Sequence, residues 1–150
     1  MSFNQTRDLL DHARDFHQRL ILFYMDLLDR ATEEETSELI EDLIEHEEVF
    51  EARLKDYEEA VSETTLDTYF KYMINDTDQR FGEYEVPDQV DSDYVIGAAR
   101  HFDECLSCFY EEMAKRTLSE GTRAILENLM EMERREQIAL SKMVLDLKVA

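Results

Sequence analysis

Residues 13–30 read ARDFHQRLILFYMDLLDR and residues 99–116 read ARHFDECLSCFYEEMAKR. At this offset of 86 positions Ala13, Arg14, Phe16, Leu20, Phe23, Tyr24 and Arg30 each meet an identical residue. The same offset carries Glu41, Leu43, Glu45, Glu47 and Leu54 onto Glu127, Leu129, Glu131, Glu133 and Leu140. Two separate segments that agree on one offset mark an internal duplication, so the second half of the chain reads as a structural copy of the first.

Working outward, apolar residues recur at helical spacing through four segments, roughly 5–31, 33–61, 92–117 and 119–148. Thr32 with Glu35 is the expected capping box of the second segment, Asp91 or Ser92 the cap of the third and Ser119 the cap of the fourth. The joints within 5–61 and within 92–148 are short enough to force two antiparallel hairpins. Residues 62–91 connect them and hold Pro87, the one proline, and Gly82. Leu66, Tyr69, Phe70 and Met73 fall at i, i+3, i+4 and i+7, which predicts a short helix inside this connection. The expected fold is all-α: a four-helix bundle of two repeated hairpins joined by a long crossover, one domain over 1–150.

Composition agrees. A chain of 150 residues can bury one sizeable core, and only three glycines and one proline exclude a β-sandwich or a Rossmann domain. With 16 basic against 37 acidic residues the net charge is -21, which opposes binding to nucleic acid and to anionic membrane surfaces. No apolar run approaches the about 18 residues that span a bilayer, and residues 1–8 contain no apolar signal core. Two cysteines, Cys105 and Cys108, are too few for a disulfide scaffold. The expectation is a soluble, cytoplasmic protein.

The inward seams show where chemistry could sit. They read Leu10, Ala13, His17, Leu20, Tyr24, Leu27 in the first segment and Ile40, Leu43, Glu47, Phe50, Leu54, Tyr57 in the second. The third gives Ile96, Ala99, Asp103, Leu106, Tyr110, Met113 and the fourth Leu126, Leu129, Glu133, Glu136, Leu140, Met143. Each seam is apolar except near its middle, where His17, Glu47, Asp103, Glu133 and Glu136 stand at one level. Burying an ionised group costs several kcal/mol, while a whole domain is stable by about 5–15 kcal/mol, so five unsupported core charges are excluded. Three ways out are open: raised carboxylate pKa values, hydrogen bonding to a protonated His17, or bound cations. Two divalent ions would balance four carboxylates beside a neutral imidazole, and such an oxygen-rich set suits iron or manganese better than zinc.

These residues resemble the ferritin-like superfamily, most closely its rubrerythrin-type branch. In that family two helices each give one Glu and the other two each give Glu-x-x-His to a two-metal centre. The resemblance covers all four segments, including the pairs Phe23-Tyr24 and Phe109-Tyr110. It implies that Glu47 and Glu133 are bridging ligands. His17 and Asp103 stand where the family has Glu, and Phe50 and Glu136 where it has His. A phenyl ring cannot ligate, so the implied metal ligands are His17, Glu47, Asp103, Glu133 and Glu136. The resemblance further implies two irons per chain, or manganese, and peroxide- or dioxygen-linked oxidoreductase activity. Rubrerythrins usually carry a rubredoxin domain with paired C-x-x-C motifs, absent here, so reductant would come from an external electron donor.

The changed ligand set gives an alternative: a degenerate bundle without catalysis, acting as a structural or protein-interaction module with one metal or none. A third reading is an acidic scaffold whose exposed stripe binds a partner helix. Cys105 and Cys108 are read as packing residues, because a structural zinc needs four ligands. His12, His46 and His101 fall off the seams. Leu9, Leu22 and Phe23 form a second apolar stripe on the first segment, which predicts a homodimer.

Overall fold

The computed structural model describes residues 2–72 and 81–149. Strand β1 (Ser2–Gln5) leads into α1 (Thr6–Arg30) and α2 (Glu34–Ala60); a one-turn α3 (Glu63–Leu66) and β2 (Tyr69–Tyr72) follow. Helices α4 (Ser92–Arg116) and α5 (Glu120–Val149) complete the chain. The molecule is predominantly helical, and no helix among the described residues is long and apolar enough to cross a membrane.

Hydrogen bonds between helix starts fix the directions. The hydroxyls of Thr6 and Thr122 bond at 2.9 Å, which sets the start of α1 beside the start of α5. Those of Thr36 and Ser92 bond at 2.8 Å, which sets the start of α2 beside the start of α4. Thus α1 and α5 run one way, and α2 and α4 the other. The connection between α2 and α4 must travel the length of the molecule. At one end β2 pairs antiparallel with β1, Ser2 opposite Tyr72 and Gln5 opposite Tyr69. At the other the Val90 N–H donates to the Arg30 carbonyl at 3.2 Å, and the Arg30 guanidinium to the Pro87 carbonyl at 3.1 Å. A helix of 25 residues separates those ends by about 37 Å at 1.5 Å per residue.

The seams are buried as their periodicity requires. Leu10, Ala13, Leu20, Tyr24 and Leu27 of α1 join Ile40, Leu43, Phe50 and Leu54 of α2, Leu106 and Tyr110 of α4, and Leu126 and Leu129 of α5 in one core. Tyr57 and Met143 are half-buried at its edge. Two of the three caps form as expected: Asp91 accepts from the Tyr94 N–H at 2.8 Å and Ser119 from the Thr122 N–H at 3.2 Å.

Three expectations need correction. The N-cap of α2 is Glu33, not Thr32, and no side chain closes it; Glu34 and Glu35 in the first turn instead complement the positive end of the helix dipole. The short helix stops at Leu66, and Tyr69 and Phe70 lie in a strand, where aromatic side chains are favoured and β1 supplies the partner ladder; Met73 lies outside the described residues. The stripe of Leu9, Leu22 and Phe23 is largely covered. Leu9 is fully buried, and Phe23 packs against Phe81 and Tyr84 of the crossover at 5.9 Å between ring centroids in both pairs. The crossover lies over the α1 surface that the sequence left unpartnered, and only Leu22, with Met25, stays exposed.

Candidate functional site

One level of the core departs from hydrocarbon. His17 comes from the middle of α1, Glu47 from α2, Asp103 from α4 and Glu133 from α5, all four buried: 1%, 6%, 7% and 0% exposed. Helical spacing puts each at the centre of its seam, so four rigid elements deliver them to one layer without any loop. Glu136, one turn beyond Glu133, reaches only the rim. It is half-buried, with its carboxylate 3.8 Å from His46 Nδ1.

His17 is the centre of the layer. Its Nδ1 faces Glu47 Oε2 and its Nε2 lies 2.7 Å from Glu133 Oε1. A neutral imidazole has one N–H and one lone pair, so two carboxylate acceptors on opposite nitrogens call for the doubly protonated ring. Burial alone would lower the imidazole pKa, but the facing carboxylates of Glu133 and Glu47 outweigh it and hold His17 well above its ordinary value. Phe50 fixes the ring from one side, 4.3 Å between centroids. Phe50 thus serves as packing for the imidazolium.

The carboxyls respond in the opposite sense to an exposed ion pair. Burial pushes Glu133 up, and His17 only partly offsets this. Burial, and then the neighbouring Glu47 and Glu133, push Asp103 well above its ordinary value. Glu136 is raised by burial and by Glu47. The imidazolium of His17 thus offsets part of the negative charge that Glu47 and Glu133 bring into the layer.

It is not fully satisfied. Glu133 Oε2 and the Tyr110 hydroxyl are buried without a hydrogen bond of good geometry, although they act on one another electrostatically. Asp103 makes no hydrogen bond within the described residues, and with His46, Glu47 and Glu136 it lines a narrow cleft between α2, α4 and α5. Tyr24 and Tyr110 are core residues as expected, their hydroxyls kept protonated by burial.

No family model, curated protein or solved structure matches this chain. The residues themselves must therefore carry any functional reading.

For a metal the observations divide. The donor set is rich in oxygen, and the Glu133 oxygen that lacks a well-formed hydrogen bond, together with the Asp103 carboxyl, are acceptors a cation would satisfy. Yet no three donors among the described residues already surround one point as a metal shell, and His17 spends both nitrogens on carboxylates. The set fits a cation chemically, on condition that His17 gives up a proton and a carboxylate contact.

The remaining candidates lie apart. His12 packs on Phe109 at 4.7 Å, and His101 stacks on Tyr84 at 4.9 Å with its Nε2 3.7 Å from Cys105 Sγ. Cys105 and Cys108 are free thiols on one side of α4. What the sequence reading missed is the orientation of His17 between two acids and the place of Phe50 against it. The i, i+3 spacing of Glu47 and Phe50 could have suggested the second.

Proposed function

We propose that this chain is a ferritin-like bundle of the rubrerythrin type that binds iron or manganese in its buried carboxylate layer. The observation that carries the proposal is the buried Glu133 oxygen left without a hydrogen bond of good geometry at the level where all four helices contribute ligand-type side chains. The order of helix directions, with α1 and α5 parallel and the long crossover between α2 and α4, also supports it. Glu47, Asp103, Glu133 and Glu136 would hold the metal with oxygen, and His17 with nitrogen after losing a proton. A bound iron or manganese would supply redox chemistry toward peroxide or dioxygen, with electrons from a separate donor protein. The chain's own part is to exclude water with Tyr24, Phe50 and Tyr110 and to keep the donors on four rigid helices.

The reading includes a homodimer, now resting on exposed Leu22 and Met25 of α1, and a cytoplasmic setting, in keeping with the free thiols. Sedimentation equilibrium of the wild type and of Leu22→Glu tests the dimer; a monomeric wild type refutes it.

The deciding experiment is elemental mass spectrometry on protein purified without added metal, followed by anaerobic iron(II) titration. About two metal ions per chain, reduced strongly by Glu133→Gln, is the expected result. The position of His17 favours a second reading: a metal-free bundle in which the imidazolium has replaced the metals and the protein is a structural or interaction module. No metal as purified and none taken up would select it.

A further inference from the structure

The two hairpins differ at one equivalent place. Between α1 and α2, Arg14 reaches Glu51 at 3.2 Å and Glu58 at 3.4 Å, and Gln18 donates to the same Glu51 oxygen at 3.1 Å. At the offset of 86, Arg14, Gln18, Glu51 and Glu58 fall on Arg100, Glu104, Gln137 and Val144. Arg100 keeps the guanidinium, but its partners across the helix pair are gone. Gln137 is neutral and turns its amide nitrogen to Ser107 Oγ at 3.1 Å, while Val144 is buried and apolar. Arg100 forms no ion pair among the described residues, in a chain of net charge -21.

In that position α4 and α5 enclose a groove of about 320 Å³ lined by Arg100, Asp103, Glu104, Gln137, Leu140 and Ser141. This is the size of a small-molecule site. Leu140 gives it an apolar wall. The Ser141 hydroxyl donates to the Gln137 backbone carbonyl at 3.0 Å, so its oxygen remains free to accept. Glu104, exposed on the same helix as Arg100, also lines the groove, and Asp103 lies beneath, buried.

We propose that this groove binds a small organic carboxylate with an apolar body, its carboxylate seated on Arg100 as the Glu51 carboxylate is seated on Arg14. The guanidinium fork matches a carboxylate in two parallel hydrogen bonds. Leu140 takes the apolar body, and Glu104 restricts the groove to ligands whose charge stays on the Arg100 side. The groove shares Asp103 with the buried layer, and its binding group, Arg100, lies outside that layer.

The test uses the full chain with benzoate and hexanoate as probes and benzamide and hexanamide as uncharged counterparts, followed by saturation-transfer NMR and calorimetry. Both acids should bind at least about ten-fold more tightly than their amides. Arg100→Gln should bring the acids to the level of the amides. Gln137→Glu, which restores the carboxylate present in the other hairpin, should pair with Arg100 and weaken the acids in the same way. Glu104→Gln should strengthen them. Arg100 and Glu104 are exposed, so those variants keep the fold, with helical circular dichroism as the check on all three. Acids that bind the wild type no better than amides, or that bind Arg100→Gln as well as the wild type, overturn the proposal.

Discussion

His17 Nε2 and Glu133 Oε1 are 2.7 Å apart with both side chains shut off from solvent, and Glu47 closes the other side of the ring. Removing the cation from such a triad leaves two buried carboxylates facing a void. In metal-free protein His17→Leu should therefore lose about 3–5 kcal/mol of stability in urea unfolding. The combined change His17→Leu, Glu47→Leu, Glu133→Met should recover most of that loss, since a buried ion cluster is replaceable by hydrocarbon of similar volume. A single variant as stable as wild type would mean that the imidazole is not charged.

The same layer sets a pH dependence with a definite sign. Asp103, Glu133 and Glu136 are held above the ordinary carboxylate range and His17 above the ordinary imidazole range. The folded chain thus binds more protons than the unfolded chain from about pH 4 upward. The contribution of these groups is fully present below the unfolded carboxylate values, and the His17 part below about pH 6.5; both are lost as pH rises through the folded values. Urea midpoints measured in chelator from about pH 5 to pH 9 should fall steadily, and less steeply in Asp103→Asn. Midpoints that climb over this range would contradict the protonation scheme. Metal uptake, which needs the same protons removed, should strengthen over the same interval.

The fold was readable in the sequence to the extent that burial is periodic. The α1 seam from Leu10 to Leu27 lies inside, and the capping acid Asp91 and capping hydroxyl of Ser119 work as expected, because each is a local consequence of helix geometry. Leu9 and Phe23 were misread because their cover, Phe81 and Tyr84, sits in a segment without periodicity. The level of the candidate site was legible as an interruption of four apolar seams. The pairing of His17 with two acids was not, since side-chain rotation leaves no mark in spacing. The rim position of Glu136 was missed for a related reason: Glu133 already occupies the inward direction of α5, and a residue three further on is turned about 60° away.

Phe50 separates the two functional readings. Phe50→His creates a Glu-x-x-His spacing from Glu47 and places a second imidazole against His17, on which Phe50 packs at 4.3 Å. On the metal reading, anaerobic cobalt(II) titration should show a gain of at least about ten-fold in affinity and visible absorption bands of a nitrogen- and oxygen-ligated ion. If the layer is a metal-free module, the variant should only lose stability, by about 1–3 kcal/mol, as a polar ring enters an apolar place. An unchanged cobalt affinity in a folded variant would count against metal binding at this level.

The crossover supplies the last prediction. Phe81 stacks on Phe102 at 4.2 Å with ring planes 11° apart and also meets Phe16 at 5.3 Å, so one side chain ties the crossover to α1 and α4 together. Phe16 precedes His17 and Phe102 precedes Asp103, and the Phe16 and His17 rings lie 6.4 Å apart, so this aromatic cluster is expected to act as a wall beside the polar layer. Phe81 is half-buried, so Phe81→Ala should cost about 2–3 kcal/mol, below the range for a fully buried phenylalanine. Loss of the wall should also admit water to the layer. Backbone amides around residues 16–18 and 102–104 should then exchange hydrogen faster than those around Leu54, which lies two turns away on α2. Equal acceleration throughout the molecule would show that Phe81 stabilises the fold globally and has no particular part in sealing the site.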